Sequence, residues 1–246
     1  MTAEADALPD SVTNGPSRLE RVLEPEVMDT PEEADAYDAM DHSAVNQAFV
    51  QDLLALKPPR GEWLDLGTGP AHQPIMLTRW VDDVQVTAVD ASDSMLVAAR
   101  RNVQVAGLAG RINLAKADAK ALSFADGQFS VVFSNSLFHH LAEPLLALKE
   151  AKRVLAADGV LFVRDLVRPS DAASLEQLVS TYAADDTPQQ RQLFADSLQA
   201  ALTLEEVQDL AVSAGLVLAE AEMSPANFQL QLTSDRHWTL IYRSAS

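Results

Sequence analysis

The stretch Asp65-Leu66-Gly67-Thr68-Gly69-Pro70-Ala71 decides the fold of this chain. It follows a short apolar run at residues 63–66 and precedes a segment of helical character at residues 74–80. Glycine has no Cβ, so a ligand can approach the backbone closely and unusual dihedral angles are accessible. In open α/β sheets, ligands bind where the carboxyl ends of the strands meet. The stretch therefore predicts a strand, a ligand-binding turn and a helix.

The rest of the chain continues this alternation. Apolar and β-branched runs at residues 84–89, 112–115, 129–133 and 160–163 predict strands. Ser92 caps one intervening helix, which Gly107 ends, and Pro144 opens another. Repeated β–α units predict a doubly wound α/β fold, a parallel sheet with helices on both faces. Near the C-terminus, we expect a helix from Thr203 to Gly215 and strands at residues 216–221, 228–232 and 237–242.

The N-terminal quarter has a different character. Residues 1–17 are small and polar, which predicts a flexible tail, and residues 18–27 are expected to be partly helical. The sequence Thr30-Pro31-Glu32-Glu33 is a capping box and predicts a helix to about Met40. A second helix is expected from about Ser43 until the prolines at 58 and 59. The chain therefore divides into a tail (1–17), an N-terminal helical segment (18–60) and an α/β domain (61–246).

The composition favours some classes of protein and excludes others. The chain has 246 residues, 48% of them hydrophobic, and no cysteine, so disulfides, cysteine-bound metals and thiol nucleophiles are excluded. Its formal net charge of −18 disfavours binding to nucleic acid or anionic lipid. No apolar stretch approaches the roughly 20 residues that span a bilayer, and residues 1–10 contain acids but no base, unlike a signal peptide. We expect a soluble cytoplasmic protein.

Polar residues follow three further predicted strands. Asp90 closes the second strand, 23 residues after Gly67, where a carboxylate can accept hydrogen bonds from both hydroxyls of an adenosine ribose. Asp118 follows the third strand, where a carboxylate could accept from an adenine amino group. Ser134-Asn135-Ser136 ends the fourth strand. Together with the glycine turn, these residues predict a nucleoside-binding edge.

Together, these features resemble the class I S-adenosylmethionine-dependent methyltransferases, most closely the small-molecule branch typified by ubiquinone/menaquinone C-methyltransferases. The likeness covers residues 63–166 and 204–215. Four further segments share it, namely Leu122-Ser123-Phe124, Phe138-His139-His140-Leu141, Arg153-Val154-Leu155 and Asp158-Gly159-Val160. The resemblance implies a seven-stranded Rossmann-like sheet, mostly parallel, in the order 3-2-1-4-5-7-6 with strand 7 antiparallel. It also implies that the N-terminal helical segment forms a lid over the cleft.

The resemblance further implies a cofactor, S-adenosylmethionine, with S-adenosylhomocysteine as its product, and a small-molecule methyl acceptor. The cofactor-binding residues it implies are Asp65, Gly67, Thr68, Gly69, Asp90, Ala91, Met95, Asp118, Ala119, Asn135 and Tyr37. Asp65 and the glycines would hold the methionine part, Asp90 the ribose and Asn135 the surroundings of the sulfonium. The third glycine of the family's turn is replaced here by Ala71.

Catalysis by such a protein is mainly alignment of a nucleophile with an already activated methyl group. A base is needed only if the acceptor must lose a proton, and His139 or Asp165 is then expected to serve. No metal site is expected, because adjacent residues such as His139 and His140 usually point in different directions.

Two alternatives stay open. A nicotinamide-dependent oxidoreductase has a similar sheet, but its Gly-x-Gly-x-x-Gly motif requires glycine where this chain has His72. A non-catalytic cofactor-binding protein is the other, since Asp90 and Asp118 indicate binding and say nothing of turnover. The acceptor, the acceptor atom and the oligomeric state are not specified by the sequence.

Overall fold

The structure, a computed structural model, describes residues 18–25, 27, 29–217 and 226–245. The strands are β1 (Gly61–Leu66), β2 (Val84–Asp90), β3 (Ile112–Lys116), β4 (Phe129–Asn135), β5 (Leu155–Leu166), β6 (Phe228–Leu232) and β7 (His237–Arg243). The helices are α1 (Pro31–Asp38), α2 (Ser43–Ala55), α3 (His72–Trp80), α4 (Asp93–Val105), α5 (Pro144–Val154), α6 (Ala172–Tyr182), α7 (Pro188–Ala200) and α8 (Leu204–Ser213). Within these ranges, no helix has both the length and the apolar character needed to cross a bilayer.

The seven strands form one sheet in the order β3-β2-β1-β4-β5-β7-β6, as predicted. β1 pairs in parallel with both β2 and β4, whereas β7 runs antiparallel to β5 and β6. Because the chain leaves β1 in one direction for β2 and β3 and later in the other for β4 and β5, the strand order reverses beside β1. The cleft of an open α/β sheet lies at such a point.

Alternate residues of β1 supply the two apolar cores. Trp63 packs with α2, α3 and α4 on one face, while Leu64 and Leu66 pack with α5 and α8 on the other. All three side chains are fully buried. A parallel strand covered on both faces reads as a continuous apolar run, and Asp65 is the one buried residue of β1 that departs from this pattern.

The predicted strands β1 to β4, β6 and β7 lie where the sequence indicates, and β5 is longer than expected. β5 begins at Leu155, and its register with β4 shifts between Phe129 and Val131. The predicted Asp158-Gly159 turn lies inside this irregular stretch, with Asp158 at φ 58°. In the predicted strand at 216–221, the first two residues form a bend, and the other four lie outside the described residues, as does the predicted tail at 1–17.

The N-terminal helical segment is only partly as predicted. The capping box of α1 is confirmed, with the Thr30 hydroxyl accepting from the Glu33 backbone N–H. The helical prediction for residues 18–27 is wrong, because residues 18–25, here called the N-terminal strap, contain no helix. The strap is held instead by contacts to distant backbone, such as the Leu19 N–H to the Ser170 carbonyl at 3.0 Å.

Helix α2 belongs to the core of the α/β domain. Phe49 is fully buried, with its ring 5.0 Å from that of Phe162 and 6.1 Å from that of Phe133. Arg164 of β5 is also buried and donates to Asp52 of α2 at 2.6 Å. Helix α2 is thus packed against the sheet, and the lid role of residues 18–60 stays a prediction.

Candidate active site

The glycine turn after β1 folds tightly against the end of β2. Gly67, Gly69 and Ala71 all have left-handed backbone, with φ values of 71°, 50° and 65°. The N–H groups of Gly67 and Thr68 both donate to the Val89 carbonyl at 2.9 Å. A Cβ at Gly67 would lie 2.8 Å from the Leu137 side chain, so any other residue here would force Leu137 to move.

Gly67→Ala is therefore expected to destabilise the protein more than Gly69→Ala. Both substitutions place a Cβ on left-handed backbone, which costs about 1 kcal/mol. At Gly69 the new Cβ would meet Tyr37 only at 3.8 Å, an ordinary contact, whereas at Gly67 overpacking against Leu137 adds about 1–3 kcal/mol. Urea unfolding of both variants measures the difference, and equal losses would contradict this packing.

Asp90 ties the turn to the start of α4. One carboxylate oxygen accepts from the Gly69 N–H at 2.8 Å and the other from the Ser92 N–H at 2.9 Å. Burial raises the pKa of Asp90 above its ordinary value, although these backbone hydrogen bonds oppose the shift. Each oxygen retains a further lone pair, so Asp90 can accept from a ligand while it holds the loop.

Asp65 lies at the end of β1, behind the turn. Its side chain is buried, and its Oδ2 atom has no hydrogen-bond partner within the described ranges. Burial raises the pKa of Asp65 to about 7, with the Asp90 charge adding to the shift and the Thr68 hydroxyl opposing it. Ionisation of Asp65 is costly while its Oδ2 atom is buried without a donor, so a nearby cationic group would stabilise the charged form.

A single cleft collects the predicted cofactor residues, with the exception of Asp65. The predicted residues that line it are Tyr37, Gly67, Thr68, Gly69, Asp90, Ala91, Met95, Asp118, Ala119 and Asn135. Asp118 is half-exposed and accepts from the Lys120 N–H at 2.9 Å, while the buried Asn135 Oδ1 atom has no partner among the described residues. Ser134 is not in the cleft, because it is buried and donates to the Leu66 carbonyl.

Other residues that line the cleft were not among the predicted cofactor-binding residues, although Ser136 belongs to the predicted nucleoside-binding edge and Pro70 to the predicted turn. They are Val27, His42, Asn46, Pro70, His72, Gln73, Ser92, Ala117, Lys120, Ser136, Leu137, His140 and Leu141. Several directly follow residues that the motifs did identify, so the strand ends could have indicated them. His42 and Asn46 come from the N-terminal helices, and Asn46 accepts from the Gln73 amide at 2.8 Å. No local pattern in the sequence links these two positions to α3.

The predicted bases, His139 and Asp165, form a buried pair outside the cleft lining. The His139 Nδ1 atom lies 2.5 Å from Asp165 Oδ1, and the two side chains are only 4% and 1% exposed. Burial alone would raise the pKa of Asp165, but the adjacent His139 ring lowers it overall. Asp165 also accepts from the Phe138 N–H at 2.5 Å, so it fixes the β4–α5 loop. This placement does not support direct contact of either group with an acceptor.

His139 and His140 do not point apart, which corrects the reasoning used against a metal site. Their ring centroids are 4.0 Å from each other. Both rings face Glu24 of the N-terminal strap, with His139 Nε2 at 3.5 Å and His140 Nδ1 at 3.0 Å from Glu24 Oε1. The turn at residues 138–140 rotates successive side chains onto the same side, whereas a strand would alternate them.

Comparison with known proteins agrees with the motifs. Residues 64–163 match the family model described as "Methyltransferase domain". The demethylmenaquinone methyltransferase of Thermus thermophilus is 36% identical over 122 residues, which are 50% of this chain and 54% of that protein. The chain thus spans about half the length of this curated relative.

Solved structures extend the likeness over most of the chain. A SAM dependent methyltransferase from Aquifex aeolicus has a TM-score of 0.62 at 19% identity, covering 87% of this chain and 98% of its own. A plantazolicin methyltransferase, solved with SAH and a desmethylPZN analog, has a TM-score of 0.65 at 14% identity, covering 88% and 92%. At these identities the likeness concerns the fold. The chain therefore shares the fold of these solved methyltransferase structures, and its residues 64–163 match a methyltransferase domain and resemble the demethylmenaquinone methyltransferase of Thermus thermophilus.

Proposed function

We propose that this chain transfers a methyl group from S-adenosylmethionine to a small-molecule acceptor. The observation that carries the proposal is the pair of acidic side chains at the glycine turn. Asp90 faces the cleft with free lone pairs, and Asp65 keeps a buried oxygen without a donor. A ligand with ribose hydroxyls and an ammonium group would satisfy both carboxylates.

The residues around the cleft fit the parts of this cofactor. Asp65 would bind the ammonium of the methionine part, and Asp90 the ribose hydroxyls. Met95 and Ala119 are buried apolar residues that would contact the adenine, with Asp118 near its amino group. When bound, the cofactor supplies a methyl group on a positively charged sulfur, which requires no further activation.

The chain's own residues have three tasks in this reaction. The loop and Asn135 position the methyl donor, and the N-terminal helices cover the cleft so that an acceptor reacts away from water. Burial raises the pKa of Tyr37 to about 12, with the Asp165 and Asp90 charges adding to it, so its hydroxyl stays protonated and can donate to a ligand. His139 and Asp165 hold the β4–α5 loop as positioning residues.

A quinol-type aromatic ring is the acceptor class that we propose to test first. The relative from Thermus thermophilus is named a demethylmenaquinone methyltransferase. Apolar Leu137 and Leu141 line the cleft together with Tyr37, which suits a flat apolar ring with polar substituents. The segment at residues 168–201, which contains α6 and α7, is expected to tune this choice together with the N-terminal helical segment.

We also propose that the protein works in the cytoplasm without nucleic acid or membrane partners. The net charge of −18 supports this, because a strongly negative surface repels phosphate backbones and anionic lipid.

Parallel calorimetric titrations with S-adenosylmethionine, S-adenosylhomocysteine and NADH test the proposal. We expect micromolar binding of the two adenosyl ligands and no binding of NADH. Transfer of labelled methyl to a demethylated quinol then tests turnover. Binding of NADH alone would assign the chain to the oxidoreductases, and adenosyl binding without transfer to any small-molecule acceptor would leave a non-catalytic binding protein.

A further inference from the structure

A compact cluster of metal-binding side chains lies beside the cleft. It consists of Glu24 from the N-terminal strap with His139 and His140 from the β4–α5 loop, and their three ligand atoms lie within 4.8 Å of one another. All three side chains are largely enclosed, with exposures of 10%, 4% and 16%. We propose that these residues bind one divalent transition-metal ion such as zinc(II).

The orientation of His139 supports this assignment. Its Nδ1 atom is 2.5 Å from the Asp165 carboxylate, which accepts hydrogen bonds and donates none when ionised. The proton of the neutral ring therefore belongs on Nδ1, which leaves a lone pair on Nε2. That lone pair faces Glu24 Oε1, so either a proton or a metal ion must lie between the two atoms, and their separation of 3.5 Å is long for a hydrogen bond. Metal-binding histidines are commonly held by a carboxylate in this way.

The distances within the cluster are compatible with a shared ion. The His139 Nε2 to Glu24 Oε1 separation of 3.5 Å is too long for a good hydrogen bond. His140 Nδ1 is 3.0 Å from the same oxygen, yet it is buried and makes no hydrogen bond of proper geometry. Ligands about 2.0–2.1 Å from a tetrahedral ion are separated by roughly 3.3 Å, close to both values.

The surroundings fix the ligands in place. The Ser197 hydroxyl of α7 donates to Glu24 Oε1 at 3.1 Å. Arg21 of the strap donates to the carbonyls of His139 and Leu141, at 3.3 and 3.0 Å. Two imidazoles and one carboxylate suit zinc and its neighbours, while magnesium prefers oxygen ligands. A bound ion would fasten the strap to the cleft wall, and this holds whether or not the proposed methyl transfer is correct.

The test is a titration of chelator-treated full-length protein with ZnCl2, and in parallel with MgCl2, by calorimetry and thermal unfolding. We expect one zinc ion per chain, a raised unfolding temperature and no response to magnesium. CoCl2 as a spectroscopic probe should give the visible absorption of a low-coordinate site. Glu24→Gln and His140→Asn should each weaken zinc binding at least tenfold.

Matched controls separate this site from nonspecific binding. Glu20→Gln makes the same charge change on an exposed strap residue, and His72→Asn removes a cleft histidine outside the cluster. Both should bind zinc as the unaltered protein does. Unfolding temperatures without metal verify that each variant is folded. Absence of stoichiometric zinc binding, or binding that survives both ligand substitutions in folded protein, would overturn the proposal.

Discussion

Asp90→Asn is expected to weaken binding of S-adenosylhomocysteine by about 100-fold. The substitution keeps the volume of the side chain but removes the charge that would accept from the ribose hydroxyls. Hydrogen bonds to charged groups contribute about 1.5–3 kcal/mol each, and the amide retains only part of this. Calorimetry measures the change, and Asp82→Asn, an exposed residue before β2, controls for the altered net charge.

A second ligand distinguishes direct ribose contact from an effect on the loop, since Asp90 also binds the Gly69 N–H. The unaltered protein should bind S-adenosylhomocysteine much more tightly than its 2′-deoxy analogue, and this preference should largely vanish in Asp90→Asn. Unchanged affinity, or an equal loss for both ligands, would remove the ribose assignment.

Asp65→Asn is expected to stabilise the ligand-free protein at pH 8 while weakening its binding of the cofactor. The pKa of Asp65 is about 7 in the folded state, against about 4 in an unfolded chain. A raised pKa means that folding stability is lost as the pH rises from about 4 through 7, because the carboxyl must ionise while buried. Three pKa units correspond to about 4 kcal/mol, an upper limit for the gain.

The pH dependence makes this prediction specific. Urea unfolding should show nearly equal stability of the two proteins at pH 4 and the largest difference at pH 8. Cofactor affinity of the unaltered protein should rise between pH 6 and 7.5, since the ionised Asp65 accepts the ammonium group. In Asp65→Asn the affinity should be low and flat over this range. A variant less stable than the parent at pH 8, or a flat profile for the parent, would contradict the assignment.

The sheet could be predicted because its signals are local. Each strand of the parallel core is an apolar run bounded by a turn or cap, and the glycine turn identifies the edge where ligands bind. Once β1 and β2 are recognised, Gly67 and Asp90 must come together, because the carboxyl ends of adjacent parallel strands meet. Local patterns do not show which strands are neighbours in the sheet, and the order of the outer strands was implied by the family resemblance instead.

The parts that escaped prediction depend on contacts between distant segments. The strap at residues 18–25 forms no helix because its partners are backbone groups near residues 139–141, 170 and 199–200. The buried state of His139 likewise depends on Asp165, which lies 26 residues away and at the end of another strand. No periodicity within either segment records these pairings, so the roles of the two histidines could not be assigned.

The buried contact between α2 and β5 has a consequence for synthesis of the chain. Arg164 reaches Asp52 across 112 residues, and Phe49 packs on Phe162. Until β5 has emerged from the ribosome, α2 has only part of its docking surface, and the face of Phe49 that packs on Phe162 stays uncovered. Contacts so distant in sequence close late and favour slow folding. Helix α2 is therefore synthesised before its docking surface is complete, and we expect a nascent chain ending before residue 155 to depend on chaperones.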